Sequence, residues 1–309
     1  MKFLFAAAAI LTLIAVFLGA AWISWKRDWD IALAAFDNGD YETALSKWSV
    51  LAEEGDPEAQ YNLGLVYSTR EWDQQDPVVG MIWYTRAARQ GHVGAQHNLG
   101  VMYEDGKQLP QNTEMAVEWY TRAAEQGDFK AKTNLGRMYS IGLGVPQNHE
   151  AAVKWYTLAA ELGTAKAQFN LGAVYSKGQG IPQDFERAAK WYSLAAEQGY
   201  ADAQNNLGVM YSKGEGVPKN TRTAVTCYKR AAEEGFAAAQ YNLADMYIRG
   251  LGVPQSYVTA HMWGTIAASN GIEQGKDMRA IAAVRMSASQ IVKAQTLARE
   301  CISKNYKGC

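Results

Sequence analysis

The chain has 309 residues, with 30 lysines and arginines against 31 aspartates and glutamates, a formal net charge of −1. That balance offers no basic field for a phosphate backbone, and no window reads as a Lys/Arg stripe, which argues against nucleic-acid binding. With 48% hydrophobic residues, 20% charged residues and only 7 prolines, the composition is that of an ordered helical protein.

Residues 1–25 form the first segment. Phe3 to Ile23 carries no charge, is interrupted only by Thr12 and Gly19, and is long enough to cross a hydrocarbon layer of roughly 30 Å. Trp22 and Trp25 followed by Lys26 and Arg27 fit an interfacial belt with snorkelling anchors. Gly19-Ala-Ala21 behind the single charge of Lys2 also fits a small-x-small cleavage site, so retained signal-anchor and cleaved signal peptide both stand. Residues 26–55 follow as an N-terminal capping hairpin, with Gly39-Asp-Tyr-Glu-Thr-Ala44 at its turn.

Between Asp56 and Gly271 a block of 36 residues is written six times without insertion or deletion, at 56–91, 92–127, 128–163, 164–199, 200–235 and 236–271. Stepping from Leu63 gives Leu99, Leu135, Leu171, Leu207 and Leu243, and stepping from Tyr67 gives Tyr103, Tyr139, Tyr175, Tyr211 and Tyr247. A fixed period of this size means stacked units, because one unit cannot bury its apolar face alone. In the copy from Asp128 to Gly163, Ala131, Leu135, Met138 and Tyr139 make one helical stripe, helix A. The glycines and Pro146 of Ile141 to Asn148 break it. Asn148 caps a second helix, B, as do Asp76, Asn112, Asp184, Asn220 and Ser256 in their copies. Ala152, Trp155, Tyr156, Ala159 and Ala160 make its buried face, and Gly163 ends it.

The run Ala167-Gln-Phe-Asn-Leu-Gly-Ala-Val-Tyr-Ser-Lys-Gly-Gln-Gly-Ile-Pro-Gln-Asp184, with Ala188-Ala-Lys-Trp-Tyr192 and Ala195-Ala-Glu-Gln-Gly199, resembles the SEL-one-like repeat (SLR) family, helical-hairpin relatives of tetratricopeptide repeats. Departures are local: Arg70 to Gln75 replaces the Gly-x-Gly-Val-Pro-Gln turn, Cys227 the helix B tryptophan and Gly264 the adjoining tyrosine. The resemblance implies an all-α, right-handed α-solenoid of antiparallel helical hairpins and a scaffold or adaptor that binds a protein partner, often an envelope or signalling protein. A cell-wall or β-lactam hydrolase is implied by cysteine-rich relatives, but those carry a cysteine pair in each repeat and this chain has none there. A structural spacer is the third reading.

Two kinds of column matter for function. Asn62, Asn98, Asn134, Asn170, Asn206 and Asn242 recur in every copy, and a residue so poor in helix interiors predicts a structural ladder of hydrogen bonds to neighbouring backbone. Gly64, Gly100, Gly136, Gly172 and Gly208 predict close helix approach. Other positions vary. On the face that lines the concave groove in tetratricopeptide-like solenoids stand Tyr61, His97, Thr133, Phe169, Asn205 and Tyr241, then Leu65, Val101, Arg137, Ala173, Val209 and Asp245. These rows are expected to be free of stacking and to meet an extended peptide or partner helix.

No active site emerges. His92, His97, His149 and His261 share no column and no ligand spacing, so no metal is expected, and the Gly142-x-Gly144 type turns follow helices, which argues against a phosphate-binding cofactor. Cys227 sits at a buried packing position and reads as an inert core thiol. Residues 272–309 read as capping helices, the last over Ser289 to Cys301, and a tail. Cys301 and Cys309 enclose that tail: in an oxidising compartment they would bond, otherwise they are two exposed thiols, and without a histidine they leave a zinc tetrahedron half empty. The bonded reading favours a repeat domain outside the cytoplasm, membrane-anchored through residues 3–23 or secreted to the periplasm.

Overall fold

The computed structural model describes residues 26–69, 72, 75–107 and 110–309. The apolar run Phe3 to Ile23 lies outside the described residues, as do positions 70, 71, 73 and 74 of the irregular first turn. No helix among the described residues is long and apolar enough to cross a membrane.

Every regular element described is helical. Helix α1 covers residues 26–37 and α2 Tyr41–Glu53. The A helices of the six repeats are α3 (Pro57–Ser68), α5 (Val93–Asp105), α7 (Phe129–Ile141), α9 (Ala165–Lys177), α11 (Ala201–Lys213) and α13 (Ala237–Arg249). Their B partners are α4 (Pro77–Arg89), α6 (Thr113–Glu125), α8 (His149–Glu161), α10 (Phe185–Glu197), α12 (Thr221–Glu233) and α14 (Tyr257–Ser269). Two further helices, α15 (Gly275–Ala283) and α16 (Ala288–Ser303), end the chain, α16 starting from a Ser287/Gln290 capping box.

Local chemistry fixes the boundaries. Each B helix starts where a side chain at Asp76, Asn112, Asn148, Asp184, Asn220 or Ser256 accepts a hydrogen bond from a backbone N–H two or three residues on. That satisfies a donor the helix itself leaves orphaned. Helix α9 ends on Gly178, whose φ of 67° is closed to most side chains, and Gly178 N–H donates to the Val174 carbonyl.

The described residues divide into two compact units, one of those up to 138 with 142–146, the other of 139–141 with 147–309. In each, consecutive helices pack pairwise, A on B and B on the next A, the arrangement of a solenoid. The leucine column is the spine: Leu63, Leu99, Leu135 and Leu171 are fully buried, and Leu207 and Leu243 nearly so. Burying each side chain stabilises by roughly 1.5–3 kcal/mol. Glycine beside it admits a tyrosine ring. A Cβ built on Gly64, Gly100, Gly172 or Gly208 would lie 2.5 to 2.8 Å from the ring of Tyr84, Tyr120, Tyr192 or Tyr228 of the same hairpin. The sixth repeat exchanges the sizes: Ala244 stands in the glycine column and Gly264 in the tyrosine column. The space so opened admits α15, since a Cβ on Gly264 would come within 2.9 Å of the Gly275 carbonyl oxygen.

The C-terminal tail is tied down. Cys301 and Cys309 are bonded, with their Cα atoms 5.7 Å apart, and Cys301 is buried. Tyr306 Oη donates to Asn270 Oδ1 at 3.0 Å, and Lys307 Nζ lies 2.5 Å from Glu234 Oε1.

Candidate functional site

The first of the two variable rows is not a free wall. Tyr61 stacks on His92 with ring centroids 4.4 Å apart, Phe169 packs on Tyr200 at 5.1 Å, and His97 Nδ1 meets Asp128 Oδ1 at 3.1 Å. In each case the partner opens the next repeat, so the row stacks repeat on repeat. Thr133 and Asn205 are buried, Asn205 Oδ1 accepting from Asn242 Nδ2, and Tyr241 is half-buried. The expectation that this face is dispensable for stacking is therefore corrected. A helix A side chain five residues past its cap reaches the following hairpin, which a single-helix pattern does not reveal. Burial alone would raise the Asp128 carboxyl, but His97 and the Ala131 N–H hold it below the ordinary range.

The asparagine ladder is also differently placed. Burial pushes the phenols of Tyr84, Tyr120 and Tyr192 up, and Asn98, Asn134 and Asn206, each from the following repeat, stand beside them and counter that shift. The backbone-bonding column is glutamine, unforeseen from sequence. Gln60, Gln96, Gln168, Gln204 and Gln240 are buried, and each Nε2 donates to an alanine carbonyl eight residues earlier, at 2.9 to 3.2 Å. A second amide 30 residues on then donates to the same glutamine's Oε1 in four hairpins: Gln90, Gln126, Gln198 and Asn270, at 2.7 to 2.9 Å.

The second row decides where space opens. Val101 is exposed, while Leu65, Arg137 and Asp245 are half-buried. Arg137 binds Glu104, and Glu104 Oε2 accepts from Tyr120 Oη at 3.0 Å, so a charged plug bridges these columns in the first unit. Burial and the Glu104 charge push the Tyr120 phenol well up, keeping it a donor. Two repeats later the same columns hold Ser176, Val209 and Tyr192. Ser176 Oγ lies 3.4 Å from Tyr192 Oη, no ion pair forms, and a cleft of about 510 Å³ stands open within the second unit. Phe169, Ala173, Tyr192 and Val209 line it, with the amides of Asn170 and Asn206. An adjoining cleft of about 650 Å³ shares Val209 and Glu215 and continues past Tyr228 and Asn242 to Asp245 and Arg249.

This lining suits recognition more than chemistry. Among the described residues no group of three or more His, Cys, Asp or Glu is placed to hold a metal ion. Cys227 is half-buried, and burial pushes its thiol up, away from the thiolate a nucleophile needs. His261 is buried, and burial with the nearby Arg279 favours its neutral form.

The Sel1 repeat pattern matches residues 57–92, 93–128, 130–164, 165–200, 201–236 and 237–272. The chain is 35% identical to a protective antigen of uropathogenic Escherichia coli strains that displays an SLR fold, with a TM-score of 0.76 over 85% of this chain. It spans only 56% of that structure. It is 32% identical to a Sel1 repeat protein of Oxalobacter formigenes, with a TM-score of 0.68, covering 76% of this chain and 94% of the other. No curated protein matches the chain. Sel1 repeats are generally non-catalytic scaffolds for protein–protein interaction. With six matched repeats in a helical solenoid, the chain belongs to the Sel1 repeat family.

Proposed function

We propose that the chain is a non-enzymatic adaptor at the cell envelope, and that the groove of its second unit receives a segment of a partner protein. The observation that carries the groove reading is the contrast between the Arg137–Glu104–Tyr120 plug and the open cleft at the equivalent Val209, Ser176 and Tyr192. Serine and valine there leave the half-buried Phe169 ring and the amides of Asn170 and Asn206 lining an open cleft over the buried Tyr192, and covering such groups is what a bound segment does. The envelope reading draws on the charge-free run Phe3 to Ile23 and on the Cys301–Cys309 bond, which persists in oxidising compartments. A relative that is a protective antigen fits a protein reachable by antibodies.

The test grafts the chain's own plug. Ser176→Glu with Val209→Arg is expected to bridge the cleft as Glu104 and Arg137 bridge their columns, leaving helicity and the unfolding midpoint nearly unchanged while proteins crosslinked to the full-length chain in its native membrane fraction are lost. Unchanged crosslinking with a folded double variant would move the interaction off this groove.

A further inference from the structure

The groove carries a charge pattern that the repeat alone does not require. The last helix A residue before the glycine cap is Asp105 and Ile141 in repeats two and three, then Lys177, Lys213 and Arg249 in the last three; the first helix A ends at Ser68 on an extended Thr69 cap and has no cation in its last turn either. Cations at a helix C-terminus complement its dipole, but that argument applies equally to the first three helices, which have none. The dipole therefore does not select the position of this row. Lys177 lines the first cleft, while Lys213 and Arg249 line the second.

A fourth cation departs from its column in the same place. Gln111, Gln147, Gln183 and Gln255 each clamp their turn, Nε2 donating to a helix A carbonyl seven residues earlier at 2.7 to 2.9 Å. Repeat five has Lys219 there instead, exposed and lining the second cleft. The carboxylates lining the two clefts are Glu215 and Asp245, and each is already taken: Lys213 Nζ lies 3.6 Å from Glu215 and Arg249 3.2 Å from Asp245. Lys177 and Lys219 have no carboxylate within ion-pair distance among the described residues.

Resting on the groove reading above, we propose that the segment received is an acidic peptide. An apolar side chain would enter between Phe169, Tyr192 and Val209, and flanking carboxylates would meet Lys177 and Lys219. The Asn170 amide supplies a donor and an acceptor for the peptide's own backbone between those anchors. Uncompensated cations beside an apolar cleft favour this class over a basic or neutral segment, because they lower its charge cost and speed its encounter.

The experiment presents the full chain in detergent micelles to an array of randomised nine-residue peptides, with Lys177→Glu/Lys219→Glu and the Ser176→Glu/Val209→Arg plug alongside. Both lysines are exposed, so their reversal leaves folding intact. The expected result is enrichment of Asp and Glu around one Leu, Phe or Met. A synthetic acidic peptide of that pattern should bind about tenfold or more tighter than its Asn/Gln counterpart, and lose most of that margin in the reversed variant and at about 0.5 M salt. Retention that the plug abolishes but that shows no preference for acidic peptides would overturn the charge assignment and leave the groove reading standing. Retention indifferent to the plug, or no retention at all, would overturn both.

Discussion

At the scale of single residues, the glutamine ladder contains one visible fault. Gln204 Oε1 is buried without a hydrogen-bond partner, whereas the same atom of Gln60, Gln96, Gln168 and Gln240 accepts from an amide 30 residues on. The cause is Glu234, which as a carboxylate has nothing to donate and turns instead to Lys307. An unpaired buried acceptor costs about 1–3 kcal/mol, and an ion pair with both side chains about half exposed returns about 0–1 kcal/mol. Glu234→Gln should therefore stabilise the protein by about 1 kcal/mol, read as a higher midpoint in urea unfolding. A lowered midpoint would mean that the tail contact of Lys307 outweighs the ladder bond.

At the scale of the element, the hairpin is built around a size pair, glycine on helix A and tyrosine on helix B. Gly172→Ala in a free helix would stabilise by about 1 kcal/mol, but here the new methyl would lie 2.8 Å from the Tyr192 ring. Overpacking is expected to win, with a loss of about 1–3 kcal/mol. The same change in a Tyr192→Ala background should be neutral or stabilising, the reversal that Ala244 opposite Gly264 already embodies. Equal effects in both backgrounds would show that the ring moves aside. This pairing also marks how far sequence reasoning reaches. Leu171, Asn148 and Gly178 announce stripe, cap and stop through rules that act within one helix, and the hairpins follow from them. The Gln168–Gln198 bond joins residues 30 apart on different helices, and each alone looks like an ordinary polar surface residue. Phe169 is half legible for a related reason: it lines the cleft, but its second contact, Tyr200, belongs to the next repeat, and only packing brings the two together. The cleft itself was half visible, since Arg137 and Val209 were named as one column, but that Glu104 turns the arginine into a plug required the bond.

At the scale of the whole molecule, stability in a repeat array is a sum over neighbours, so the two ends matter most. The C-terminal end is held by α16, which packs on α14 and places Ala298 and Cys301 in the core of the last repeats. The Cys301–Cys309 bond closes a short loop that carries Tyr306 onto Asn270 and Lys307 onto Glu234. In the chain-entropy view, opening so short a loop frees the unfolded chain and lowers stability by about 2–3 kcal/mol. Because coupling in such an array passes only between adjacent repeats, that loss should not spread evenly. Reduction by a dithiol, or Cys301→Ser with Cys309→Ser, should raise amide exchange in α16 and α14 first, then in α12 and α13, while α3 to α6 keep their protection. A uniform rise across all helices would show that the array unfolds as one cooperative block. No change in α16 would show that Ala298 and the packing on α14 hold the end without help from the sulfurs.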